Sequence, residues 1–300
     1  MTIVVTVPAS AANLGPGLDT LALAVALENT FRFEHAPRDR IDIVGPQASH
    51  LAAEDAQGIF RAMDAVYRGR GLPRPPLRIT ATSSVPVARG LGSSATAIIA
   101  GVMAARTLLG DPVSTRDVLA EAARLEGHPD NVAAAVLGGV TVAYMGNGQV
   151  EAVRLPHPRD LVAVAVVPAN PLATPQARRV LPDQVPLADA VFNLGRVALL
   201  VGGLASGNLS WLRSGGEDRL HQPYRAHLVP DLELLIASAL RAGGWTASLS
   251  GAGPTIIALS NRSQARTIAE EWHRTLASVH TAADVSILDI AGAGARVSVV

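Results

Sequence analysis

PVARGLGSSATAIIAGVMAARTLLG, residues 86–110, sets a glycine- and serine-rich turn directly against a long apolar run. Gly90 and Gly92 permit turns that a side chain would forbid. The run behind them carries Ile98, Ile99, Val102, Met103, Leu108 and Leu109, apolar nearly all the way round a helix, which argues for burial within a lobe. The spacing predicts a helix starting at Ala95, with Ser93 or Ser94 as its N-cap. A buried helix whose N-terminus is ringed with glycine turns free N–H groups and the positive end of its dipole outward, an arrangement suited to an anion such as phosphate. A tight turn with a capping serine is the plainer reading of the same residues.

Phosphate loops usually carry a lysine, and this chain has none: its 25 basic residues are all arginines. That excludes a Walker A loop, a protein-kinase strand lysine and a Schiff base. The absence of cysteine excludes thiol nucleophiles, disulfides and thiolate metal sites. Net charge is zero with no basic face, which gives a nucleic-acid partner no support. No stretch approaches the ~18 consecutive apolar residues of a membrane span, and MTIVVTVPASAANLG lacks the positive region of a signal peptide. The expectation is a cytoplasmic protein with no membrane partner.

Three hundred residues, 49% of them apolar, suffice for two lobes. Residues 2–7, 32–45 (two pieces), 77–87, 139–145 and 161–167 read as strands, the last two flanking a turn at Gly146–Gly148. Helical spacing runs from His50 to Arg70, through Leu51, and from Thr115 to Glu126. A further helix starts after Gly127-His128-Pro129-Asp130. In the second half, helices are expected near 187–205, 231–242 and 263–277. Strands are expected at TASLS, TIIAL, VSILDI and RVSVV. The irregular alternation predicts an α+β fold, divided near Pro156–Pro158 into lobes 1–157 and 158–300.

Pro86-Val87-Ala88-Arg89-Gly90-Leu91-Gly92-Ser93-Ser94-Ala95, followed by Thr96, resembles the second motif of the GHMP kinase superfamily, whose loop wraps the phosphates of ATP through main-chain amides. PASAANLGPGLDTLALAV (8–25) resembles the first motif, and SLSGAGPTIIAL (248–259) the third. Read alone, the first is a strand end, loop and helix start, and the third is a hairpin turn. Three motifs in order are a strong signal. The resemblance implies a two-lobed fold, with an N-terminal lobe like ribosomal protein S5 domain 2 and a ferredoxin-like C-terminal lobe. It also implies a homodimer.

Glu126 in EGHPDN falls near a helix C-terminus, where a carboxylate is unfavourable unless a cation is near. Mg²⁺ fits, held by Glu126 and the Ser94 hydroxyl. His128 and Asn131 in this segment resemble homoserine kinases, as do Thr174 and Arg178 in TPQARRVLP and Arg225 in HQPYRAHLVP. A pair of guanidinium forks recognises the carboxylate of an amino acid. The resemblance thus implies ATP-dependent phosphorylation of L-homoserine to O-phospho-L-homoserine, in threonine biosynthesis. Asp19 and Asn13 would orient the substrate hydroxyl, with His128, Asn131, Thr174, Arg178, Arg225 and Gly251 around the amino acid. Arg179 is expected to point elsewhere. Leu18 departs from the phenylalanine common in the first motif, and Thr96 from the alanine of the second. Another superfamily kinase, acting on mevalonate or a sugar, and a non-catalytic nucleotide-binding protein are the alternatives.

Overall fold

The computed structural model describes residues 1–48 and 53–300, with side chains in the first helix from Gln57 onward. In chain order the first half runs β1 (Thr2–Ala12), β2 (Leu21–His35), β3 (Arg40–Val44), α1 (Ala53–Gly69), β4 (Leu77–Thr82), α2 (Ser93–Leu109), α3 (Thr115–Glu126), α4 (Asp130–Leu137), β5 (Val140–Gly146) and β6 (Gln149–Leu155). The second half runs β7 (Leu161–Pro168), α5 (Thr174–Arg179), α6 (Leu187–Ser206), α7 (Leu209–Gly215), α8 (Gln222–Arg225), α9 (Leu232–Arg241), β8 (Thr246–Leu249), β9 (Ile256–Asn261), α10 (Arg262–Ser278), β10 (Ala283–Asp289) and β11 (Arg296–Val299). The expected helix start at His50 and Leu51 lies outside the described residues.

One sheet orders its strands β11-β1-β2-β4-β3, with β5 and β6 joined to the side of β2. The last strand of the chain therefore lies in the sheet begun by the first. The second sheet is antiparallel, in the order β10-β7-β9-β8. Helices α9 and α10 cover one of its faces around Trp272, whose indole N–H donates to the Leu235 carbonyl at 2.8 Å. Its other face, through Leu161, Ala163, Ile257 and Leu259, packs on Ala9, Ala11, Leu21 and Leu23 of the first sheet. The architecture is the α+β, two-lobed arrangement expected, with the site at the seam.

Beyond the short helices α5, α7 and α8, which the sequence reading did not include, and β4, which ends at Thr82 rather than near Val87, two stretches differ from that reading. Residues 21–31 form the first two-thirds of a long strand, where a helix start was expected. Leu21 to Val25 are all buried, so the period of two that marks a half-exposed strand is missing from the sequence. The turn after Met145 leads into β6 rather than to residues 161–167. Asn147 (φ 52°) and Gly148 (φ 74°) form the Asn-Gly hairpin turn of β5 and β6.

Helix α2 is buried along most of its length against β1 and α1, which accounts for its apolar circumference. The crossing is close: a Cβ at Gly101 would stand 2.6 Å from the Ile59 carbonyl oxygen. This packing fixes where the N-terminus of α2 points.

Candidate active site

Helix α2 starts two residues earlier than the sequence predicts, at Ser93. Its N-cap is Gly92 in the left-handed region (φ 70°), with no side-chain cap. The serines are thus left free of capping. A side chain at position 92 is excluded, because its Cβ would fall 2.3 Å from the Ser10 hydroxyl. Gly90 (φ 74°) is pinned likewise, its Cβ position lying 2.3 Å from the Ser250 carbonyl oxygen. The N–H groups of Ser93, Ser94 and Ala95 reach no helix carbonyl and point out of the turn.

The three glycine-rich motifs close on one another through main-chain bonds. Ser10 N–H donates to the Leu91 carbonyl (3.1 Å) and Gly251 N–H to the Ala12 carbonyl (2.9 Å). The Ser250 hydroxyl donates to the Gly90 carbonyl at 2.6 Å, and the Ser10 hydroxyl to Asn131 Oδ1 at 2.9 Å. Asn13, buried at φ 71°, donates its amide to the Gly251 carbonyl (2.9 Å) and accepts from Asp19 N–H (3.1 Å). Both ends of Asn13 hold the scaffold together.

Asp19 lies opposite the helix start and receives both arms of the Arg178 fork, at 2.7 and 3.0 Å. Burial pushes its carboxyl up, but the hydrogen bonds and charge of Arg178 outweigh that and hold it below the usual carboxylate range. Arg225 is buried. Its Nε donates to the Ala177 carbonyl, and its Nη1 to the Gly251 carbonyl and His221 Nδ1, both at 3.1 Å. A guanidinium can only donate, so His221 Nδ1 is an acceptor and its Nε2–H donates to the Gly15 carbonyl at 2.7 Å. Burial accordingly depresses the His221 pKa, against the pull of Asp218.

Ser94 Oγ donates to Glu126 Oε2 at 3.0 Å. Burial raises the Glu126 carboxyl, partly offset by His128 and Ser94. His128 Nδ1 meets Asp130 Oδ1 at 2.7 Å. Burial lowers the imidazole's pKa, but Asp130 and Glu126 raise it by more, so the net shift is upward. Neighbouring ligand atoms in an octahedral Mg²⁺ shell, each ~2.1 Å from the ion, stand ~3 Å apart, so the Ser94–Glu126 pair fits that ion. Asp19, His128 and Asp130 also present ligand atoms within 4.8 Å of one another, although these are engaged with Arg178 and with each other.

Two cavities meet here. The smaller, about 90 Å³, is lined by Asn13, Asp19, Gly92, Asp130, Asn131, Arg225 and Gly251. The larger, about 720 Å³, has an apolar wall that includes Phe31, Ile59, Ala97 and Ile98. Ala88, Ser93, Ser94, Glu126, His128, Thr174 and Arg178 line both. Of the other expected loop residues, Arg89 and Gly90 also line the small cavity and Val87 the large one. The Arg89 fork donates to the carbonyls of Val87, Pro168 and Ala169, Leu91 is buried, and Thr96 bonds Ser93 and Asn29. Pro86 and Val87 lead into the turn. Arg179 is exposed, as anticipated.

Residues 56–139 match the model of the GHMP kinase N-terminal domain, and residues 200–278 that of the C-terminal domain. Homoserine kinases from Thermosynechococcus vestitus and Gloeobacter violaceus are 41% and 43% identical to the chain, covering 99% and 90% of it and 99% and 92% of the relatives. The chain belongs to the homoserine kinase family. A crystal structure of homoserine kinase from Cytophaga hutchinsonii superposes with a TM-score of 0.87 at 28% identity, over 99% of this chain and 97% of that one. L. major mevalonate kinase in complex with R-mevalonate shares the fold alone, with a TM-score of 0.73 at 16% identity over 95% of each chain. Within the homoserine kinase family the mevalonate, sugar and non-catalytic alternatives are not favoured.

Sequence reasoning missed the buried network behind the site. Asp218 accepts from the backbone N–H groups of Leu220, His221 and Gln222, and Asn193 on α6 donates to both Asp218 (2.8 Å) and the Pro16 carbonyl (3.2 Å). Asp218 and Asn193 lie outside the recognisable motifs, and no local pattern marks them. Asp130, part of the EGHPDN segment that carries the resemblance but given no role by it, is buried against His128.

Proposed function

We propose that this protein transfers the γ-phosphoryl group of ATP to the side-chain hydroxyl of L-homoserine, giving O-phospho-L-homoserine for threonine biosynthesis. One observation carries the reading: a large, partly apolar cavity suited to a nucleoside opens onto a small polar cavity suited to an amino acid, and their shared wall includes the first turn of α2. Donor and acceptor then meet where the free amides lie. Phosphoryl transfer asks for this positioning more than for covalent chemistry.

In this reading the amides of Ser93, Ser94 and Ala95 bind the terminal phosphates, and Gly90 and Gly92 let the main chain approach them. Ser94 and Glu126 would hold Mg²⁺, which neutralises phosphate charge. Asp19, kept ionised by Arg178, accepts a hydrogen bond from the substrate hydroxyl, and in a loose transition state the proton can leave late. Arg178 and Arg225 receive the substrate carboxylate, and Asn13 positions Asp19 and Gly251. His128, Asn131 and Thr174 complete the wall. We place the lobe boundary at 157/158, so that the phosphate loop lies before it and both arginines after it. Both substrates are cytoplasmic metabolites, which supports a cytoplasmic enzyme.

Incubation with ATP, Mg²⁺ and L-homoserine, followed by mass detection of O-phospho-L-homoserine, tests the assignment. Turnover of mevalonate or galactose with none of homoserine overturns it.

A further inference from the structure

A third cavity, of about 310 Å³, shares no lining residue with the two cavities of the candidate active site. It lies between the α7–α8 loop, α6, α9 and β8, and Phe192, Ile236, Leu240 and Ala247 make its apolar side. Its polar side is short of acceptors. Gln222, 9% exposed, accepts from Leu249 N–H through its side-chain carbonyl at 2.8 Å. A backbone N–H can only donate, so this bond fixes the orientation of the amide and leaves its NH₂ end with two donors and no partner among the described residues. Arg213 on α7 meets no carboxylate among the described residues and reaches the Leu240 carbonyl at a long 3.4 Å. The acids on the same wall are already engaged: Glu217 pairs with Arg196 (3.0 Å), and Asp218 holds Asn193 and the backbone N–H groups of Leu220, His221 and Gln222. Unmatched donors beside an apolar wall call for a ligand with oxygen at one end and hydrocarbon at the other.

We propose that this cavity binds a small organic carboxylate with an apolar tail, and that its occupancy is coupled to the amino-acid side of the active site. The carboxylate lies between the Arg213 guanidinium and the Gln222 amide, and the tail against Ile236, Leu240 and Ala247. With both acids of the wall engaged, an ammonium group finds no free acceptor, so a simple carboxylate is favoured over an amino acid. A volume of about 310 Å³ stands at the lower end of the ~300–1,000 Å³ range of ligand pockets and suits a molecule far smaller than a nucleotide. The route to the active site is short. Gly216, on the cavity wall, packs on Gly15, where a Cβ would stand 2.5 Å from the Gly216 carbonyl oxygen. Asp218 reaches the Pro16 carbonyl through Asn193, and His221, next to Gln222, binds the Gly15 carbonyl and Arg225. A ligand that fits the cavity as it stands favours the loop position that holds Arg225 and the Asp19 turn, so it should strengthen homoserine binding. The coupling rests on the substrate proposed above; the site does not.

Calorimetric titration of the whole chain with 4-methylpentanoate, without nucleotide or homoserine, should give one site with a dissociation constant of ~1 mM or tighter. The matching alcohol, 4-methylpentan-1-ol, has the same tail without the charge and should bind about tenfold more weakly or worse. Arg213 is exposed, so Arg213→Gln should fold normally and raise the constant for the acid about tenfold or more. Gln222→Glu keeps the acceptor for Leu249 N–H but removes the donors, and should do the same. Arg178→Ala, in the active site, should leave the constant unchanged. Saturating homoserine should tighten binding of the acid ~fivefold, and by reciprocity the acid should tighten homoserine by the same factor. No binding at ~20 mM, an alcohol that binds as well as the acid, or binding that survives Arg213→Gln and is lost in Arg178→Ala overturns the site. A constant unmoved by homoserine, in a chain that phosphorylates homoserine, overturns the coupling.

Discussion

Replacing Gly92 with alanine tests whether backbone geometry at the start of α2 carries the chemistry. Gly92 has φ 70°, which costs an alanine ~1 kcal/mol relative to glycine. The new Cβ would lie 2.3 Å from Ser10 Oγ, more than 1 Å inside contact distance. The hydroxyl can turn away only by giving up its 2.9 Å bond to Asn131, a further ~1 kcal/mol. If the loop moves instead, it carries the Ser93–Ala95 amides with it by about the same amount, and misplacements of ~1 Å cost ~100-fold in rate. Gly92→Ala should therefore lose about 2 kcal/mol, read as a fall of several degrees in Tm by calorimetry. It should also lose roughly 100-fold in kcat/KM for ATP in a coupled assay. Removing the obstructing oxygen with Ser10→Ala in the same chain should recover part of the catalytic loss. A Gly92→Ala enzyme with unchanged Tm and unchanged kcat/KM for ATP would refute the reasoning.

Glu126→Gln keeps the shape and the acceptor for Ser94 but removes the charge. It should lower kcat/KM ~100- to 1,000-fold at fixed Mg²⁺. In the wild type a proton competes with the metal at a carboxyl whose pKa lies above the ordinary glutamate value. The KM for Mg²⁺ should therefore climb up to ~tenfold per pH unit below that pKa, a dependence the Gln variant should lack. Arg178→Ala should raise the KM for homoserine ~100-fold, and the Tm should move by no more than ~2 °C because the pair with Asp19 is more than a third exposed. An unchanged KM would return Arg178 to a structural role. His221 has a depressed pKa in the fold, so its contribution to stability is present above its unfolded value of ~6.5 and is lost as pH falls below it, by up to ~1.4 kcal/mol per unit. His128, shifted upward, acts in the opposite sense, its contribution being lost as pH rises. Urea unfolding between pH 5 and 7.5 should show the acid loss in the wild type and not in His221→Asn.

The elements legible in the sequence were those with a period or a punctuation mark. Helix α2 announced itself by its glycines and apolar circumference, and α10 by its spacing. The strand from Leu21 to Val25 had no alternation to show, because both of its faces are covered. The Asn147-Gly148 turn was visible but was assigned to the wrong partner strand, since pairing is a long-range choice. Within the site, residues inside motifs were found. Their couplings were not: that Arg178 grips Asp19, or that both ends of the Asn13 amide are engaged, depends on the docking of segments up to 238 residues apart. Asn193 and Asp218 are ordinary polar residues until the fold buries them together.

The loop proposed to face the nucleotide is held by Ser250 and packed beside Gly253, and the strand leading into the first motif is paired by residues 296–299. Growing from the ribosome, the chain will have exposed the whole of its phosphate loop long before the segments that hold it in place have been made. A chain truncated before Ser250 should therefore be blind to ATP, and nucleotide binding should appear only when the segments around Ser250 and residues 296–299 are both present.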